Sequence, residues 1–203
     1  MVRAEPNDEV MSSPVMPTPG IPDSAVKPRD YNGSSAATSC AERVDEQKFR
    51  AILGRFTTGV VAVTALREKD SIPVGLAVNS FTSVSLDPAL VLICIARTST
   101  SWPHVRKAER FCINILGESQ REISKRLATS GTDKFRDIHW TTTPTKTPVL
   151  DGAIAWLECS IEAEYPAGDH TVVIARVHHL DANHDGRPLV FYRGSYGRLA
   201  AAL

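Results

Sequence analysis

The 203-residue sequence predicts a mainly β fold, an antiparallel barrel or sandwich with peripheral helices. Three observations carry this. About seven apolar, β-branched runs read as strands, against two or three helical segments. Successive strands often follow one another across short polar turns, without the crossover helix that a parallel sheet needs. There is no GxGxxG after the first strand and no P-loop, the usual marks of a nucleotide-binding parallel sheet.

Residues 1–42 are rich in Pro, Ser, Ala and Gly and bury too little apolar surface to offset the entropy of ordering, so a flexible leader is expected before a single domain over 43–203. "VDEQKFRAILGRF" follows as a helix, with Asp45 as N-cap and Phe49, Ile52, Leu53 and Phe56 at helical spacing. "GVVAVTAL" is a strand ending at the turn "REKDS"; "PVGLAV" and "ALVLICIA" are the next two. "SWPHVRKA" reads as a short helix, "RFCINIL" as a strand and "ESQREISKRLA" as an amphipathic helix. In "AWLECSIEAE", Leu157, Cys159 and Ile161 alternate with Glu158, Ser160, Glu162 and Glu164, predicting one face in the core and one in water. "HTVVIARVHHL" and "PLVFYRG" complete the strands.

Lys plus Arg number 23 and Asp plus Glu 23, so bulk charge draws the chain neither to nucleic acid nor to an anionic membrane. No apolar run approaches the roughly 20 residues of a membrane span. The first residues lack the apolar centre of a secretory signal, and a cytoplasmic location is expected. Cys94, Cys112 and Cys159 sit in strand-like runs and Cys40 in the leader, without CxxC or zinc spacing; they read as free thiols.

The chemistry-bearing residues fall between strands. Asn79 to Asp87 carries an amide, four hydroxyls and a carboxylate between two apolar runs. Its backbone N–H groups and hydroxyls can converge on a polar or phosphate-bearing ligand, or simply make a turn. "ARTSTSW" is a second hydroxyl-rich turn, in which Ser99, Thr100 or Ser101 could cap the next helix and favour an anion. Gly168-Asp169 suits a hairpin turn, and His170 stands at the mouth of the next strand, able to reach a pocket. The adjacent His178 and His179 point to opposite faces of a strand and do not suit one metal; His104 and His139 are isolated. "SGTDKFRD" offers Lys134 as a cation near a phosphate and Phe135 as an aromatic lid, or a solvated lysine beside a core ring. Tyr192, Arg193 and Tyr196 either pack or line a ligand mouth. GxSxG and HExxH are absent, so hydrolase chemistry has little support, and a pocket with few acid–base groups suits a cofactor that brings its own reactivity.

In order along the chain, "FTTGVVAVTA", "GLAVNSFTSVSLDPALVLICI", "RFCINIL", "DKF", "PVLDGAIAWLECSIEAEYPAGDHTVVIARV" and "PLVFYRGSYGRL" resemble the flavin reductase family, the small reductase components of two-component flavin-dependent monooxygenases. The resemblance runs from about Gln47 to Leu199, and its most specific parts are the NSFTSVSLDP loop and the GDH turn. It implies a homodimer of Greek-key, FMN-binding split barrels holding FMN or FAD near the interface. NADH or NADPH would deliver a hydride to the flavin N5, and reduced flavin would pass to a separate monooxygenase.

On this resemblance, Val78, Asn79, Ser80, Phe81, Thr82, Ser83, Val84 and Ser85 would cradle the isoalloxazine edge and ribityl chain. Ala96, Arg97, Ser99, Thr100 and Ser101 would form the phosphate end, with Tyr192 and Tyr196 at the mouth. Phe135 and His170 would stand where the nicotinamide stacks, His170 orienting it or favouring the reduced flavin. Ala77 stands where many relatives carry Thr, and Ala89 where a second Pro is common. The competing readings are a non-catalytic flavin- or haem-binding barrel, a pyridoxamine-phosphate-oxidase-like enzyme, for which several Arg and Lys would be expected, and a partner-binding barrel without cofactor.

Overall fold

The computed structural model describes residues 44–131, 133–183 and 186–199; the expected leader lies outside the described residues. The first helix, α1 (Glu46–Leu53), begins where Asp45 Oδ1 accepts the Lys48 N–H at 2.6 Å. Its apolar stripe meets no core among the described residues: Phe49, Ile52, Leu53 and the following Phe56 are all more than half exposed.

A seven-stranded antiparallel sheet forms the body. Its members are β2 (Val61–Leu66), β3 (Pro73–Val78), β4 (Thr82–Leu86), β5 (Ala89–Ala96), β6 (Phe111–Ile115), β9 (Ala155–Ala167) and β10 (His170–Ala182). Short strands β1 (Thr58–Gly59), β11 (Val190–Tyr192) and β12 (Ser195–Gly197) make a second sheet, and β7 (Trp140–Thr142) and β8 (Pro148–Leu150) a hairpin. Two further helices are α2 (Trp102–Lys107) and α3 (Arg121–Ala128).

The main sheet runs β3-β2-β6-β9-β10-β5-β4, so β3 and β4 occupy opposite edges. Yet only Asn79, Ser80 and Phe81 join them. Three residues reach about 10 Å, so the edges must come together and the sheet curls into a barrel. The edges close through a side chain: Ser80 Oγ accepts from the Cys94 N–H at 2.9 Å and donates to the Cys94 carbonyl at 3.0 Å. Thr82 pairs with Leu92, so Ser80, two residues back, meets Cys94, two residues on, and extends that ladder by one rung.

Val63, Ala65, Val91, Ile93, Ile95, Phe111, Ile113, Cys159 and Val173 fill the barrel. A second cluster, including Ala62, Leu116, Leu127, Ile138, Leu150 and Leu189, covers the outer face of β2 and explains why "VVAVTA" is apolar on both sides. There Asn114 Nδ2 donates to Thr64 Oγ1 at 2.9 Å, Thr64 donates to the Pro148 carbonyl at 2.6 Å, and the Leu150 N–H donates to Asn114 Oδ1 at 2.8 Å, pinning the β7–β8 hairpin.

That hairpin corrects one expectation. Glu158, placed in water by the alternation of β9, is fully buried beneath it, with Thr147 Oγ1 donating to its carboxylate at 3.4 Å. Burial raises its pKa, but the Thr143 and Thr145 hydroxyls and the charges of His179 and Arg110 outweigh that and hold it below the usual range. The Gly168-Asp169 turn between β9 and β10 is as expected, with Gly168 at φ +62°.

Candidate functional site

A cleft of about 330 Å³ opens where the barrel edges meet. β3 supplies Val78 as it ends in Asn79 and Ser80; β5 supplies Cys94 and Ala96; the turn after β5 brings Thr98, Ser99 and Thr100. His170, the first residue of β10, closes one side because it pairs with Ala96. Thus Val78, Asn79, Ser80, Ala96, Ser99, Thr100 and His170, read from distant parts of the sequence, line one cavity.

The opposite wall is the C-terminal end of α3, Leu127 to Ser130, with Lys134. Lys134 Nζ donates to Ser101 Oγ at 2.9 Å and to the Leu127 carbonyl at 3.1 Å, tying that helix end to the hydroxyl turn. Burial pushes the lysine below its ordinary value, and among the described residues no carboxylate offsets this. A partly desolvated cation facing neutral hydroxyls is an anion seat. The sequence offered Lys134 with a solvated alternative; the α3 wall carried no signal, because its residues at the cleft are Leu, Ala, Thr and Ser.

The hydroxyl turn is built differently from a helix cap. α2 is short, Ser101 makes no capping bond, and Ser99 Oγ accepts the Trp102 N–H at 3.2 Å instead. Ser101 is buried and serves Lys134. Arg97 and Ser99 face an adjoining groove.

Other candidates stand further off. Thr82, Ser83, Val84 and Ser85 belong to edge strand β4 rather than a loop, and Phe81 packs against the barrel core; none of these five lines the cleft. Phe135 lies against Gly75 in a neighbouring hollow that shares Lys134. Tyr196 sits within 3.0 Å of Ser124 Oγ and lines a small hollow with Val78 and Asn79. Tyr192 is exposed at the end of β11, apart from the cleft.

His170 Nδ1 is 2.7 Å from Asp169 Oδ1, and this bond holds the Asp169 carboxyl below its usual range. With Nδ1 held by that carboxylate, Nε2 is the ring nitrogen left to meet a ligand in the cleft. Among the described residues no group of three His, Cys, Asp or Glu could hold a metal. An amide and backbone at one end, hydroxyls and a desolvated lysine at the other, and few acid–base groups between them fit a flavin, whose ring edge needs neutral partners and whose phosphate needs a cation.

Comparison with known proteins agrees. The model of the flavin reductase like domain matches residues 53–200. A flavin reductase of Pseudomonas putida is 42% identical over 166 residues, covering 82% of this chain and 97% of that protein. The reductase subunit HsaB of a flavin-dependent monooxygenase from Rhodococcus jostii is 42% identical over 156 residues, covering 77% and 79%. Among solved structures, a homologue of nitrilotriacetate monooxygenase component B from Mycobacterium thermoresistibile superposes with a TM-score of 0.73 at 41% identity, covering 79% of this chain and 89% of that one. The chain belongs to the flavin reductase-like domain family, and its fold is the family's split barrel.

Proposed function

We propose that the chain is an NAD(P)H-dependent flavin reductase that reduces FMN or FAD and supplies the reduced flavin to a separate monooxygenase. The observation that carries this is the seam cleft, where Asn79, the Thr98–Thr100 turn, Lys134 and His170 converge. The flavin and the reduced nicotinamide supply the hydride chemistry between them. The residues of the chain bind and orient: Asn79 and the β3 end meet the ring edge, the hydroxyl turn and Lys134 hold the phosphate, and His170 offers Nε2 to the nicotinamide amide. Phe135 and Tyr196 flank the approach from the neighbouring hollows. The relatives named above, a flavin reductase and a monooxygenase subunit, support the same reading.

The working unit in this reading is a homodimer. The apolar stripe of α1, exposed at Phe49, Ile52, Leu53 and Phe56, suits burial against a second copy. Residues 1–42 are an appendage to the catalytic domain, and the protein acts in the cytoplasm; among the described residues no helix is long and apolar enough to cross a membrane.

The test is NADH oxidation by purified protein with added FMN, repeated with FAD and with NADPH. Flavin-dependent, saturable turnover is the expected result. Flavin binding without turnover refutes the enzyme, and neither binding nor turnover refutes the site.

A further inference from the structure

The cleft does not end at the hydroxyl turn. Beyond Ala96 and Ser99, which line both spaces, a groove of about 740 Å³ runs between α2 and the β9–β10 hairpin. That volume falls within the roughly 300–1,000 Å³ of small-ligand sites. Arg97, Arg106 and Lys107 border it, and the exposed Pro103 and Pro166 give it flat apolar surfaces, with the largely buried Trp102 beneath. One carboxylate answers the three cations: Glu164 Oε2 lies 2.6 Å from Arg106 Nε. Among the described residues no carboxylate pairs with Arg97 or Lys107.

Flat apolar surfaces beside surplus cations are what an adenosine diphosphate group requires, the base against Pro and the phosphates against Arg and Lys. We propose that this groove takes the ADP half of FAD, and that the chain prefers FAD to FMN. The inference rests on the flavin reading of the cleft. FMN ends at the phosphate, on the near side of the turn; FAD carries a second phosphate, a ribose and an adenine past it. Arg97 and Lys107 meet the second phosphate, with Arg106 beside them held by Glu164, and the Pro103 and Pro166 surfaces meet the adenine.

The ADP half of a nicotinamide dinucleotide has the same chemistry, so the test separates the two sources. Binding of FAD, FMN and riboflavin to the purified protein is followed by flavin fluorescence, without turnover. FAD is expected to bind at least about tenfold more tightly than FMN, the gain of one charge-assisted phosphate contact. Arg106→Gln and Lys107→Gln each lower the FAD-to-FMN affinity ratio several-fold, whereas Glu164→Gln, which releases Arg106, raises it. The KM for NADH is measured in the same variants with FMN as acceptor. Equal affinity for FAD and FMN overturns the inference. A raised KM for NADH with an unchanged FAD-to-FMN ratio overturns it too and gives the groove to the nicotinamide dinucleotide. Failure to bind any flavin overturns the cleft reading along with it, an outcome distinct from equal binding.

Discussion

Replacing Ser80 with alanine removes both hydrogen bonds that close the barrel edges, the one accepted from the Cys94 N–H and the one donated to its carbonyl. Both Cys94 groups then lack a partner at a half-buried position. Each such bond contributes about 0.5–1.5 kcal/mol net, so the pair contributes about 2 kcal/mol. For a domain of this size that is a fall in Tm of about 4–8 °C. Urea unfolding and calorimetry of wild type, Ser80→Ala and Asn79→Ala measure it. Ser80→Ala should shift the urea midpoint at unchanged m, and Asn79→Ala, at an exposed position, should leave the midpoint in place while weakening flavin binding. An Ser80→Ala variant as stable as wild type, with flavin affinity lost, would refute the reasoning: the hydroxyl would then belong to the ligand and not to the seam.

His170→Ala should raise the KM for NADH about tenfold, the loss of roughly one hydrogen bond, and change flavin affinity less, as steady-state kinetics and fluorescence titration will read. Lys134→Met should weaken FMN binding about tenfold and leave riboflavin, which has no phosphate, within twofold. Because burial sets Lys134 below 10.5, the cation is lost earlier than for an ordinary lysine. The advantage of FMN over riboflavin should therefore shrink as pH rises toward 10.5, while the stability of the ligand-free protein rises in that window because the unfolded state holds this proton more tightly. Cys112 and Cys159 are buried and their thiols pushed up, Cys159 to about 12, so peptide-resolved alkylation of the native protein should spare both and label half-exposed Cys94, more slowly with FMN bound. Gly75→Ala should cost about 1–3 kcal/mol by urea unfolding, since an added Cβ would lie 2.7 Å from the Val63 carbonyl oxygen.

Local chemistry was legible in the chain. Asp45 capped its helix, Gly168-Asp169 turned its hairpin, and His170 reached the pocket from a strand mouth. What depended on distant elements was not. Nothing near Glu158 foretold that residues 140–150 would fold over it. The β-branched and hydroxyl residues 82–85 read as a ligand loop, yet they pair with β5 as an edge strand. The α1 stripe had the spacing of a core-facing helix, and spacing cannot say whose core it faces. The α3 wall reaches the cleft through Leu127 and Ala128, side chains that carry no chemical mark.

The three-residue link between the barrel edges divides the site into parts that tolerate change unequally. A substitution at Ser80 must satisfy closure and binding together, because its side chain bridges the barrel edges and also lines the cleft. Lys134 and the exposed Arg97, Arg106 and Lys107 beside α2 carry no such double duty, since none of these side chains belongs to the barrel core or to its closing ladder. New preferences for flavin tail or nicotinamide can therefore arise along those walls at little cost in foldedness, and it is there that engineering for a different substrate has room to work.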